Sequence, residues 1–288
     1  MSIDILQEKI RKTKNPTVLE LSISTETLPP QFTADGAGFS QFCGALLEEM
    51  KGIIPAVRFS FGEFSLLGHD GLYHLSQTLI KARELGYYVL LDAPAIWSPA
   101  QAEQTAQMLF GERSLYPCDG LLIGGYLGSD VWKPFLPYCK KEKKDLFIIT
   151  RTANKSAAEL QDLLTGGRLV HAAAAEKISR IGQAYLGKRG YSNVAITTAA
   201  SSADSIRSLR AKHPNIFFLV DGYDYPNANA KNCSYGFDKF GHGAVVCSGA
   251  GITCAWKKAE SDGEDYLLHA KAAAEKMKKN LSRYTTIL

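Results

Sequence analysis

Eight short runs of apolar, β-branched residues, helix-patterned segments between them and no linker in a chain of 288 residues predict an α/β protein. The architecture expected is a single (β/α)8 barrel, the TIM-barrel form, spanning residues 1–288. Near-continuous apolar strands alternating with helices mark parallel βαβ units, whose strands are covered on both faces. The length alone also fits two domains, but no Pro/Ser-rich stretch, internal repeat or block of like charge divides the chain, so one domain is expected.

The expected strands are Val18 to Ile23, Ile54 to Phe61, Tyr87 to Leu91, Gly120 to Ile123, Leu146 to Thr150, Val194 to Thr197, Ile216 to Val220 and Ala244 to Cys247. Helices between them carry their own start and stop signals. Leu72, Leu75, Leu79 and Ala82 share one face of a helix that Gly86 ends. Ser98-Pro99-Ala100-Gln101 combines an N-cap, a proline at the first helical position and a capping-box glutamine. Ser156-Ala-Ala-Glu159 reads as a second capping box, with Leu160, Leu163 and Leu164 on the buried face behind it. Ile178, Ile181, Tyr185 and Leu186 give the next helix its apolar stripe. The charge run Lys140 to Lys144 reads as a solvated helix end, and the polar stretch Asp221 to Lys239 as a lid or binding loop.

Composition excludes several classes. Hydrophobic residues make up 45% of the chain and charged residues 22%, which excludes disorder and collagen. Lys+Arg 33 against Asp+Glu 29 leaves +4, too balanced for a protein that holds nucleic acid chiefly by charge. No apolar run approaches the ~20 residues of a membrane span, and the N-terminus lacks a signal-peptide core, so a cytoplasmic protein with no membrane partner is expected. The six cysteines show no CxxC spacing. The histidines show no metal-ligand spacing, so no metal is expected, and nothing calls for a cofactor. Gly124-Gly125-Tyr-Leu-Gly128 and Gly241-His-Gly243 match neither phosphate-loop pattern and read as tight strand ends.

In such a barrel ligands meet the residues just past each strand. These are Glu20 and Ser22, Arg58 and Ser60, Asp92, Tyr126, Arg151 and Asn154, then Asp221, Tyr223 and Asp224, and finally Cys247 and Ser248. Side chains two apart share a face, so Glu20 with Ser22, and Arg58 with Ser60, are expected to look into one cavity. A buried arginine needs a carboxylate, which makes Arg58 with Asp92 or Glu20 either a structural plug or an anchor for an anionic ligand. Cys247 has no histidine placed beside it and reads as a small core residue.

The ordered segments resemble orotidine 5′-monophosphate decarboxylase in its longer bacterial form. NPTVLELSI resembles that family's first strand, IIPAVRFSFGEF the second, VLLDAPAI the third and GGYLGSDVWKPF the fourth loop. TRTANKSAAELQDL resembles the fifth, FFLVDGYD the seventh and GAVVCSGAGI the eighth. The resemblance implies decarboxylation by an alternating Asp/Lys array, in which carboxylates crowd the substrate carboxylate and a lysine stabilises the carbanion and delivers the proton.

This chain departs from that pattern at most of its functional positions. Where the family motif reads D-A-K-R-G-D-I, Asp92 remains, but Pro94 stands for the lysine and Trp97 for the second aspartate. Ser22 stands for the first-strand aspartate and Arg58 for the second-strand lysine, a group that does not donate a proton at neutral pH. The phosphate-gripping loop reads Gly222-Tyr-Asp-Tyr-Pro-Asn-Ala228, with Asp224 and Pro226 inside it, and Ala250 stands for the phosphate-binding arginine. No catalytic residue is therefore assigned, and the phosphate site reads as degraded.

The expectation is a family member that has lost decarboxylation, a pseudoenzyme with a binding or partner role connected to pyrimidine metabolism. The resemblance implies a homodimer. Ligand-binding candidates are Glu20, Arg58, Asp92, Asp221 and Asp224. One alternative is a repurposed barrel enzyme acting on a different small anionic molecule. The other is an authentic but divergent decarboxylase (a carboxy-lyase), with Lys133, Lys155 or Lys231 in place of the lost lysine.

Overall fold

The computed structural model describes residues 2–22, 24 and 27–288. Eight parallel strands close into a barrel in which each pairs with the next and the eighth returns to the first. They are β1 (Thr17–Leu21), β2 (Ala56–Ser60), β3 (Tyr88–Asp92), β4 (Gly120–Gly124), β5 (Asp145–Ile149), β6 (Val194–Ala199), β7 (Phe218–Asp221) and β8 (Ala244–Ser248). All eight expected strands are present, with shifted ends. β2 begins at Ala56 because Pro55 has no N–H for the ladder. The expected end of the first strand, Ile23, lies outside the described residues.

Alternation along the strands sorts the side chains into two cores. One set, including Val18, Ala56, Leu90, Leu122, Phe147, Leu219 and Val245, fills the barrel interior, and the helix Ser2–Thr13 closes its bottom with Ile3, Leu6 and Ile10. The other set, including Leu19, Val57, Phe59, Leu91, Leu121, Ile148 and Val246, faces the surrounding helices. At the closed end the wholly buried Tyr88 donates its hydroxyl to Asp145.

The helix Gly68–Glu84 buries Leu75, Leu79 and Ala82, keeps Leu72 half-buried and is followed by Gly86 at φ 87°. Ser98 caps Pro99–Phe110 by accepting the Gln101 N–H, while the Gln101 side chain accepts the Trp97 N–H.

The second expected capping box does not form. Ser156 makes no side-chain cap and its helix is only Ala157–Gln161. A hairpin takes over, with Leu164–Thr165 paired to Arg168–Leu169 across Gly166 and Gly167, both at positive φ as a tight primed turn requires. Leu160, Leu163 and Leu164 are consequently 55%, 52% and 76% exposed rather than buried. Leu186 is likewise exposed, because it lies beyond the helix Val170–Gly182. No helix among the described residues is long and apolar enough to cross a membrane.

Candidate functional site

The C-terminal mouth is organised around Arg58. Its register partner on β1 is Glu20 and on β3 is Leu90, so its long side chain leans one pleat toward the mouth to reach Asp92. Nε donates to Asp92 Oδ1 and Nη2 to Oδ2, both at 2.7 Å. The remaining terminal nitrogen, Nη1, donates to Asp221 Oδ1 at 3.1 Å, lies 3.5 Å from Glu20 Oε1 and 3.8 Å from Cys247 Sγ. One guanidinium thus serves three carboxylates from β1, β3 and β7.

The charge balance shifts the pKa values of these groups. Burial opposes the Arg58 charge, but Asp221, Asp92 and Glu20 outweigh it and hold its pKa well above the ordinary value. Burial also raises Asp92 against the pull of Arg58. Glu20 is pushed up to about 7, first by burial and then by Asp221, Asp92 and Glu63, with Arg58 acting in the opposite sense. Although 31% of the Glu20 side chain still reaches solvent, the wall around it is dense. Burial, then Glu20 and Asp221, push the Cys247 thiol far above its usual range, the reverse of what a nucleophile needs.

Glu20, Asp221 and Cys247 bring ligand-type atoms within 4.8 Å of one another, a grouping that the histidine-based expectation of no metal did not consider. Arg58 already supplies positive charge to all three.

Asp224 is held between β7 and β8. Its Oδ1 accepts from Ser248 Oγ at 2.7 Å, and its Oδ2 accepts from the N–H groups of Gly249 at 2.8 Å and Gly251 at 3.0 Å. The short helix Ala250–Thr253 begins there. A Cβ on Gly251 would fall 2.0 Å from Asp224 Oδ1, so the approach requires glycine. The sequence marks Asp224 as a ligand-binding candidate, whereas in the structure its carboxylate fills the backbone cradle itself.

The other expected mouth residues have local partners. Ser22 donates to both Glu63 oxygens at 3.0 Å. Glu63 was missed, although Ser60-x-x-Glu63 is a capping box and Ser60 does accept the Glu63 N–H. Arg151 is locked onto Asp162 through Nε and Nη2 at 3.0 and 2.9 Å. Tyr126 donates to the Thr150 carbonyl. Lys133 pairs with Asp130, while Lys155 and Lys231 are exposed. Pro94 and Trp97 line a cavity of about 510 Å³ beside Asp92, roofed by Tyr126 and Leu127. Trp97 is 76% exposed. Pro226 is exposed in the loop after β7, and Ala250 opens the short helix.

No family model matches the chain. Among curated relatives, the orotidine 5′-phosphate decarboxylase of Clostridium kluyveri is 30% identical over 271 residues, covering 92% of both chains. That of Clostridium perfringens is 28% identical over 289 residues and covers 98% of both. Among solved structures, a putative orotidine-monophosphate-decarboxylase from Toxoplasma gondii superposes with a TM-score of 0.82 at 20% identity, over 98% of this chain and 97% of that one. A putative orotidine 5′-phosphate decarboxylase from Streptomyces avermitilis gives 0.82 at 18% identity, over 98% and 95%. With a full-length relative at 30% identity and the same closed barrel, the chain belongs to the orotidine 5′-phosphate decarboxylase family.

Proposed function

We propose that this chain is a one-domain family member that no longer decarboxylates orotidine 5′-monophosphate and serves instead as a binding or partner protein. The observation that carries the reading is Asp224. Barrels of this class commonly hold phosphate between the loops after strands seven and eight, at the start of a short helix. Here that cradle, Ser248 Oγ with the N–H groups of Gly249 and Gly251, is occupied by the chain's own carboxylate. A phosphate entering would meet negative charge and lose these donors. Ala250 supplies no cation in return.

The chemistry is opposed at the other end of the mouth as well. Arg58 is saturated by carboxylates, so it neither donates a proton nor stands free to anchor an anion. This weighs against the alternative of an enzyme for another anionic substrate at this centre. The authentic-decarboxylase reading draws on the Clostridium kluyveri relative at 30% identity.

The deciding experiment adds orotidine 5′-monophosphate to purified protein and follows both carbon dioxide release and heat of binding. Neither is expected; turnover above the buffer rate sinks the proposal. Pairing with a second copy, which the resemblance implies, is proposed as well. Sedimentation that gives only monomer at micromolar protein contradicts it.

A further inference from the structure

The cavity beside Arg58 has a chemistry of its own. It encloses about 510 Å³ between the loops that follow β3, β4 and β5, a volume within the range of small-molecule sites. Its walls are Pro94, Ile96, Trp97, Tyr126 and Leu127, and no lysine, arginine or histidine lines it among the described residues. Its one carboxyl group is Asp92. Both arginines that border this part of the mouth are already engaged in two-point contacts, Arg58 with Asp92 and Arg151 with Asp162.

We infer that this cavity takes a small aromatic or apolar amine carrying one positive charge, its ammonium toward Asp92 and its apolar body between Trp97 and Tyr126. The inference deepens the proposed function and rests on it in treating the mouth as a site not reserved for a phosphorylated anion.

Three arguments converge. Trp97, 76% exposed, and Tyr126 offer aromatic surface on which the apolar body of the ligand packs. Asp92, the carboxylate that lines the cavity, belongs to a centre in which three carboxylates share a single guanidinium, and a cation relieves that excess of negative charge where an anion compounds it. Thr152 and Gln161, also in the wall, are hydrogen-bonded to one another and add no charge that competes with the ammonium.

The test is a titration of the whole purified protein with phenethylamine, protonated at pH 7, beside 3-phenylpropionate, which carries the same ring on a carboxylate. Trp97 is exposed whereas Trp132 and Trp256 are buried, so the part of the fluorescence change that disappears in Trp97→Ala reports occupancy, and calorimetry reads the same titration on both proteins. The amine is expected to bind saturably in the millimolar range or tighter, the carboxylate not to bind at the same concentrations, and Trp97→Ala to weaken the amine about two- to fivefold. The proposal is overturned if the amine fails to saturate, if the carboxylate binds equally well, or if Trp97→Ala leaves the amine unaffected. Orotidine 5′-monophosphate is assayed on the same sample. Turnover there overturns the proposed function, whereas a failed amine titration without turnover overturns this inference alone.

Discussion

Arg58 and Asp92 face each other in a two-point ion pair, with both contacts at 2.7 Å, although Asp92 stands two residues beyond the register partner of Arg58 on β3. The diagonal reach matters because it tilts the guanidinium toward the mouth, where Nη1 meets Asp221 and Glu20. Removing the cation therefore strands three carboxylates at once. Arg58→Met is expected to destabilise the fold by about 3–5 kcal/mol at pH 8, the range for breaking a buried pair by deleting one partner. At pH 5 the loss is expected to be smaller, because the crowded carboxyls take up protons. Urea denaturation at the two pH values checks this; an equal loss at both contradicts the shared-charge account.

Glu20 gives the opposite sign. Its carboxyl titrates near pH 7 in the folded chain against an ordinary value of 4.5, so between these values the folded state holds more of the proton than the unfolded state. The stability contributed by this group is fully present below pH 4.5 and is lost as pH rises through about 7. Glu20→Gln is expected to stabilise the protein by about 1–3 kcal/mol at pH 8, with the gain shrinking toward pH 5. Arg58 keeps Asp92 and Asp221 in that variant, so no cation is orphaned. Thermal unfolding of both proteins from pH 5 to pH 8 measures it, and a gain that grows as pH falls contradicts the sign.

The sequence made the barrel legible because each strand is a compact apolar run whose two faces both had to be buried, as Phe59 with Ala56 on β2 illustrates. It also pointed to Arg58, Asp92 and Glu20 as one constellation, since strand ends in a barrel converge whatever their separation along the chain. The missing parts depended on geometry that spacing does not encode. Asp221 is legible as a mouth residue, but its contact with the same guanidinium nitrogen that Glu20 approaches is not. Asp224 finds its donors only because β7 and β8 are neighbours and the short helix Ala250–Thr253 starts directly after β8. The Leu160, Leu163 and Leu164 pattern misled because a two-glycine turn competes with the helix, and the hairpin it forms leaves those side chains outside.

Asp224 is the hinge of the functional reading and can be probed directly. Asp224→Ala breaks hydrogen bonds to Ser248, Gly249 and Gly251 at an exposed position. The expected cost is about 1–2 kcal/mol, comparable to losing a helix cap. It also frees the N–H groups that the carboxylate satisfied. Millimolar inorganic phosphate is therefore expected to raise the melting temperature of Asp224→Ala while leaving the parent chain unchanged. An equal response in both proteins removes the argument that the carboxylate closes this cradle.

Gly251 tests the same contact from the other side. Its Cβ, if present, would fall 2.0 Å from Asp224 Oδ1, a distance that no side-chain carbon tolerates, so Gly251→Ala must drive the carboxylate out. The variant alone is expected to lose about as much stability as Asp224→Ala, because the three hydrogen bonds are lost in either case. Combining the two substitutions is then expected to cost little more than one, since a contact already broken cannot be broken twice. A double-mutant cycle in urea measures the coupling. Simple additivity of the two losses means that Gly251 is required for a reason other than the approach of Asp224.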